Sequence, residues 1–152
     1  MNKLGKLFGI ASMLFLVFTQ AEAADKKADA VALMDKAIAH FTKVGADQAY
    51  KDFSDPKSGF IQGEIYVVVQ DMPGNMVHHA TNPKLNGKNI LGLKDADGRE
   101  FNKDMVAILQ KANDGWVKYK WSNPETKKIG QKESYIKKVN NDLYFIVGYY
   151  TD

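Results

Sequence analysis

The chain has no cysteine, three histidines and, in Arg99, a single arginine among 152 residues. Without cysteine there are no disulfides and no thiolate metal sites, so the fold must rest on its own core. With neither cysteine nor a third clustered histidine, the usual zinc ligand sets cannot be assembled. With one arginine, sitting in the DADGRE turn, a bound carboxylate would need lysine as counter-ion, a compact charge without a two-point fork. Basic and acidic residues are interspersed, and no basic block is denser than Lys127-Lys128 or Lys137-Lys138. That pattern carries no nucleic-acid footprint. No segment approaches membrane-spanning length; the apolar run from Leu7 to Phe18 is too short to cross a bilayer stably.

What is present begins with that run. Lys3 and Lys6 precede it, and Ala21-Glu22-Ala23 follows it with small residues two apart. Basic, apolar and A-x-A regions in that order predict a secretory signal peptide over residues 1–23, cleaved after Ala23, and an exported, periplasmic product without stable membrane insertion. Lys3, Lys6 and Glu22 leave with it, so the formal charge falls from +3 to +2 and residues 24–152 remain. That length suits one domain with a sizeable core.

Apolar residues at Ala30, Val31, Met34, Ala37, Ile38 and Phe41 follow a helical spacing and predict a helix over Lys26–Val44. A second helix is expected over Ala46–Phe53, stopped by Ser54-Asp55-Pro56 because a residue before proline avoids the helical region. From Gly63 the period changes to the β-branched and aromatic run Ile65-Tyr66-Val67-Val68-Val69, a buried strand. Met72-Pro73-Gly74-Asn75 is a turn, and Met76–Ala80 a second strand carrying His78 and His79. Asn82-Pro83 and Asn86-Gly87 mark a loop. Asp95-Ala96-Asp97-Gly98 lacks the later ligands of a calcium loop and reads as a turn before a helix over Glu100–Ala112. Three strands are expected to end the chain, at Gly115–Trp121, about Gln131–Val139 and Leu143–Tyr150. Their short links favour antiparallel pairing, which predicts an α+β domain on one antiparallel sheet of about five strands.

The segments GEIYVVVQDMPGNMVHHATNPKLNGKNILGLKDADGREF, GWVKYKWSNPETKK and KESYIKKV, in that order from Val31 to Tyr150, resemble the single Cache domains of bacterial extracytoplasmic sensors. The resemblance implies a PAS-like fold, with a long N-terminal helix on one face of the sheet and a small-molecule pocket on the other. Such domains usually sit between two membrane helices of a chemoreceptor or histidine kinase. The sequence shows no second helix or output domain, so a separate membrane receptor is the expected partner.

Strand alternation sends His78 and His79 to opposite faces, which weakens any joint metal site. His79 falls on the family's strand-ending histidine and is the pocket candidate, able to donate to an anion near its ordinary pKa. Tyr119 and Trp121 share one face of their strand and fall on family positions, where they could wall a pocket. Tyr66, on a face with Val68 and Gln70, is a further wall candidate. Lys132, Tyr135 and Lys137 also fall on family positions. Lys132 is the first choice of counter-ion and Lys137 the reserve. Because positions 132 and 135 have opposite parity, joint use requires a bulge or a late strand start.

These features together lead to a binding domain for a short organic acid, with no cofactor and no catalysis, since no nucleophile or triad pattern is recognisable. Two alternatives remain. One is a ligand-free module that contacts a sensor protein. The other is an open cone-fold isomerase, for which Glu64 and Glu133 are the only acids on candidate strands.

Overall fold

The computed structural model describes residues 11–152, with side chains from residue 22 onward. Its elements are α1 (Ala11–Val44), α2 (Ala46–Ser54), β1 (Ile61–Gln62), β2 (Ile65–Asp71), β3 (Met76–His79), a 3-10 turn (Pro83–Leu85), α3 (Phe101–Leu109), β4 (Asp114–Ser122), β5 (Ile129–Lys138) and β6 (Leu143–Tyr150). The three helices and the antiparallel sheet agree with the expected α+β class, and the sheet has six strands where about five were expected. The extra strand, β1, is two residues long and too short to leave a periodic signal. The first helix is already present at Ala11, well before the expected start at Lys26, and runs unbroken past Ala23. Residues 1–10, the start of the proposed signal peptide, lie outside the described residues.

The strand order is β1-β2-β6-β5-β4, with β3 also paired to β2. Every pairing is antiparallel. Ladders of six, seven and nine residue pairs join β2 to β6, β6 to β5 and β5 to β4. The Pro73-Gly74 turn returns β3 onto β2 because Gly74 takes φ 94°, where a Cβ would stand 2.6 Å from Leu91 Cβ.

Sheet alternation divides the core in two. On one face α1 buries Ala30, Leu33, Met34 and Ala37, spaced i, i+3, i+4, i+7, against Val67, Val69, Phe145 and Val147. Helix α2 adds Phe53, whose ring meets Phe60 and Phe145 edge-on at 4.9 and 5.7 Å. Full burial of side chains of this size stabilises by about 1.5–3 kcal/mol each. On the other face Val68, Val117, Ile136, Tyr144 and Ile146 meet Met105 and Leu109 of α3, Met76 of β3 and Ile90 of the long connection. That second face is thinly covered, by one short helix and a loop. It holds the cavity.

Candidate functional site

The antiparallel registers arrange the second face in rows. Tyr119, Lys132 and Tyr150 lie opposite one another across β4, β5 and β6. The next row is Val117, Ser134, Gly148 and Tyr66, the third Ile136, Ile146, Val68 and His79. The fourth brings Tyr144 opposite Gln70, with Met76 beyond. A narrow cavity of about 20 Å³ lies over these rows, lined by side chains from β2 through β6, from α3 and by Ile90. As it stands it has room for about one water, so any ligand must be small and must part the side chains further.

Lys132 is the charged group of the cavity. It is 2% exposed, and no carboxylate lies within ion-pair distance of its Nζ among the described residues. Its stem passes over Gly148, where a Cβ would stand 2.7 Å from Lys132 Cε, so the glycine makes room for the lysine. The ammonium lies 3.9 Å from the centre of the Tyr66 ring and 5.3 Å from that of Tyr150. Contact with an aromatic face offsets part of the desolvation cost. Burial pushes the lysine pKa below its ordinary value.

His79 stands between that cation and the far rows. Its Nδ1 accepts the Asn82 backbone N–H at 3.0 Å, so the ring proton sits on Nε2. Its own backbone N–H donates to Asn86 Oδ1 at 2.9 Å. The two asparagines of the loop signal thus hold the histidine from both sides and make it a donor. Burial first, then the charge of Lys132, pulls its pKa down to about 3. The ring is therefore neutral at ordinary pH, whereas the sequence suggests a histidine poised to become charged. His78 turns the other way, bonding Ser54 Oγ at 3.0 Å and stacking on Tyr50 with ring centres 5.1 Å apart.

Aromatic rings close the cavity. Tyr119 stacks on Phe101 with centroids 4.2 Å apart, and its hydroxyl shares a 3.1 Å hydrogen bond with Ser134 Oγ. Trp121 meets Phe101 edge-on at 5.5 Å. Burial raises the Tyr66 hydroxyl pKa to about 12, so it stays protonated. Tyr66, His79 and Trp121 also line an outer chamber of about 190 Å³, bordered by Thr81, Asn82 and the Ser122–Pro124 turn with Lys127. These three rings form the partition between inside and outside.

Of the seven residues singled out from sequence, Tyr66, His79, Tyr119, Trp121 and Lys132 meet at this cavity. Tyr135 and Lys137 do not. Strand β5 keeps a continuous register with both neighbours and has no bulge, so both residues fall on the helix-covered face. There Tyr135 packs on Trp116 at 5.0 Å, and Lys137 Nζ bonds Asp35 Oδ1 at 2.9 Å. Neither acid required by a cone-fold isomerase lines the cavity. Glu133 is tied to Tyr149 and Lys27, and Glu64 to Lys26, Asn123 and the Tyr150 N–H. Sequence reasoning missed Gln70, Asn102 and Phe101. For Gln70 a signal existed: one amide at the end of an otherwise apolar buried strand.

A family model for the Cache domain matches residues 21–152. The chain belongs to the Cache domain family. This Cache domain is 32% identical over 71 residues, 47% of its length, to the methyl-accepting chemotaxis protein McpP of Pseudomonas putida. It is 32% identical over 83 residues, 55% of its length, to the sensor histidine kinase MctS of Rhizobium johnstonii. The matched segments make up only 13% and 18% of those two proteins. Its fold is similar to the solved structure of a Cache chemosensory domain that recognises carboxylic acids, with a TM-score of 0.64 and 23% identity over 95% of this chain and the whole of that one.

Proposed function

We propose that this Cache domain binds a short carboxylate in the inner cavity on the extracytoplasmic side, and that a membrane chemoreceptor or histidine kinase reads the bound state. The observation that carries the reading is Lys132, a buried cation facing a cavity without a carboxylate partner. A buried charge is strongly disfavoured unless paired, and an anionic ligand supplies the pair. Lys132 gives the charge, neutral His79 gives a directed Nε2–H, and the rings of Tyr66, Tyr119 and Trp121 enclose a short carbon chain. Carboxylate recognition by a Cache domain of similar fold supports this choice of ligand, and the two relatives support a sensory role. The reading assigns binding rather than catalysis. Residues 1–23 act as the export signal in this proposal, and the mass of the exported protein should place its N-terminus at Ala24.

Titration calorimetry with acetate, propionate and butyrate tests the reading. At least one should bind the wild type, and Lys132→Met should lose that binding while remaining folded. Heat-silent titrations and no rise in melting temperature with any acid would leave the chain as a contact module for a sensor protein instead.

A further inference from the structure

The far end of the cavity is polar, and nothing among the described residues answers it. Gln70 is fully buried, and neither its Nε2 nor its Oε1 has a hydrogen-bond partner. Whichever way the amide is turned, a donor and an acceptor stand free. Asn102, 1% exposed, spends its Nδ2 on the Ile90 carbonyl and leaves Oδ1 unpartnered. The Tyr144 hydroxyl is also buried without a partner, although Tyr144 lies directly opposite Gln70 in the β2–β6 register. Gln70 and Asn102 both line the cavity that Lys132 and His79 line. Most buried polar groups in folded proteins find partners, so several orphans at one end of one cavity point to a missing molecule.

We infer that the ligand carries, besides its carboxylate, an uncharged hydroxyl or amide group that Gln70 and Asn102 recognise at the far end. This rests on the carboxylate reading of Lys132 and refines it. The polar groups themselves set the chemistry. A second carboxylate could only accept, and it would face Asn102 Oδ1 and one oxygen of Gln70 with no cation on that side. A methyl terminus would leave every orphan unpaired. A hydroxyl can accept from Gln70 Nε2 while donating to Asn102 Oδ1, and a carboxamide, with two N–H donors and a carbonyl, can reach Gln70 Oε1 as well. Tyr66 and Gln70 are four residues apart on β2, about 13 Å between Cα atoms at about 3.3 Å per residue. The Lys132 ammonium lies over the Tyr66 ring and the side chains project into the gap. A ligand bridging the two ends therefore has a short chain of a few carbons.

The experiment compares matched pairs by calorimetry: acetate with glycolate, propionate with 3-hydroxypropanoate, butyrate with 4-hydroxybutanoate, and succinate with succinamate. At the chain length that spans the cavity, the hydroxy acid should bind at least tenfold more tightly than its parent, and succinamate more tightly than succinate. Gln70→Met should erase that preference, bringing the hydroxy acid and its parent to the same affinity within twofold in that variant. The same substitution removes an unpartnered amide, so it should raise the melting temperature of the ligand-free protein, and this also reports that the variant folds. Asn102→Ala, the second variant, should reduce the preference with Gln70 intact. Equal affinities within every pair would overturn the inference, assigning only a bound water to the far end while the carboxylate reading stands. Tighter binding of succinate would overturn it as well. Failure of all the acids, with 1,4-butanediol bound in a Gln70-dependent manner, would sink the carboxylate and keep the far-end recognition. Failure of the acids and the diol together would overturn both.

Discussion

The two faces of one sheet solve opposite problems. On the helix-covered face polar groups beside the core are matched: Lys137 bonds Asp35, Glu133 accepts from Tyr149 and Lys27, and His78 bonds Ser54. On the cavity face, among the described residues, Lys132 has no carboxylate, and Gln70, Asn102 and Tyr144 hold atoms without partners. The same strands supply both faces, so the difference lies not in local propensity but in what covers each side. The α1–α2 layer covers its side of the sheet with two helices. Opposite it, α3 and the loop at Ile90 leave a gap over Lys132, a buried cation without a carboxylate partner among the described residues. A face with satisfied groups serves stability, and the face with unsatisfied groups is where the proposed ligand would supply the missing partners.

The contrast breaks most visibly at Phe53. Its ring is fully buried among Phe60, Phe145 and Tyr50, so Phe53→Ala should cost about 3–5 kcal/mol of stability by denaturant titration. On the proposed carboxylate reading, the fraction that remains folded should keep the wild-type affinity. On the other face Lys132→Met should behave in reverse. Loss of a charge-assisted hydrogen bond is worth about 1.5–3 kcal/mol, roughly ten- to a hundredfold in affinity, which calorimetry resolves. The ligand-free variant should be at least as stable as wild type, because an unpaired buried charge has been replaced by an apolar chain. A strong loss of stability in Lys132→Met would show that the lysine serves the fold rather than the ligand.

A smaller effect follows from pH. The folded pKa of His79, about 3, lies below its unfolded value of 6.5, so the unfolded chain takes up a proton that the native ring refuses. The histidine's contribution is therefore fully present above pH 6.5 and is lost as pH falls from 6.5 towards 3. Between pH 8 and pH 5 that loss amounts to about 2 kcal/mol. His78, also held below its ordinary value by burial, adds in the same direction. The diagnostic quantity is the difference between wild type and His79→Gln, whose melting temperature should depend less on pH over that range. Equal slopes would mean that His79 is not kept neutral.

The fold was legible wherever side-chain period and burial coincide. The run Ile65 to Val69 could only be a buried strand, and alternation alone separated His78 from His79. The same rule placed Tyr119 and Trp121 together and raised the objection to pairing Lys132 with Tyr135. The structure upholds that objection: β5 is unbulged, and family spacing misled where parity did not. The length of α1 beyond Lys26 was not legible, because the apolar run from Leu7 to Phe18 is continuous and carries no helical period in the sequence. Nor were the orphan atoms of Gln70 and Asn102. A polar residue on a strand or helix announces itself in sequence, but whether it finds a partner depends on the geometry of elements distant in the chain.

The smallest expected effect is the sharpest check on the two-face comparison, since it concerns a lysine of the same strand. Lys137 stands five residues after Lys132, an odd step that moves it to the opposite face. Its ammonium is partly exposed and meets Asp35, itself well exposed, at 2.9 Å, and this partner raises the lysine pKa where burial lowers that of Lys132. An ion pair of that kind contributes about 0–1 kcal/mol. Lys137→Met should therefore shift the denaturation midpoint slightly and leave carboxylate affinity unchanged, and Asp35→Asn should reproduce the stability change. Added salt should shrink the difference between Lys137→Met and wild type, because an exposed pair is screened. Reduced carboxylate affinity in Lys137→Met, with stability intact, would place the ligand on the helix-covered side and reverse the roles of the two faces.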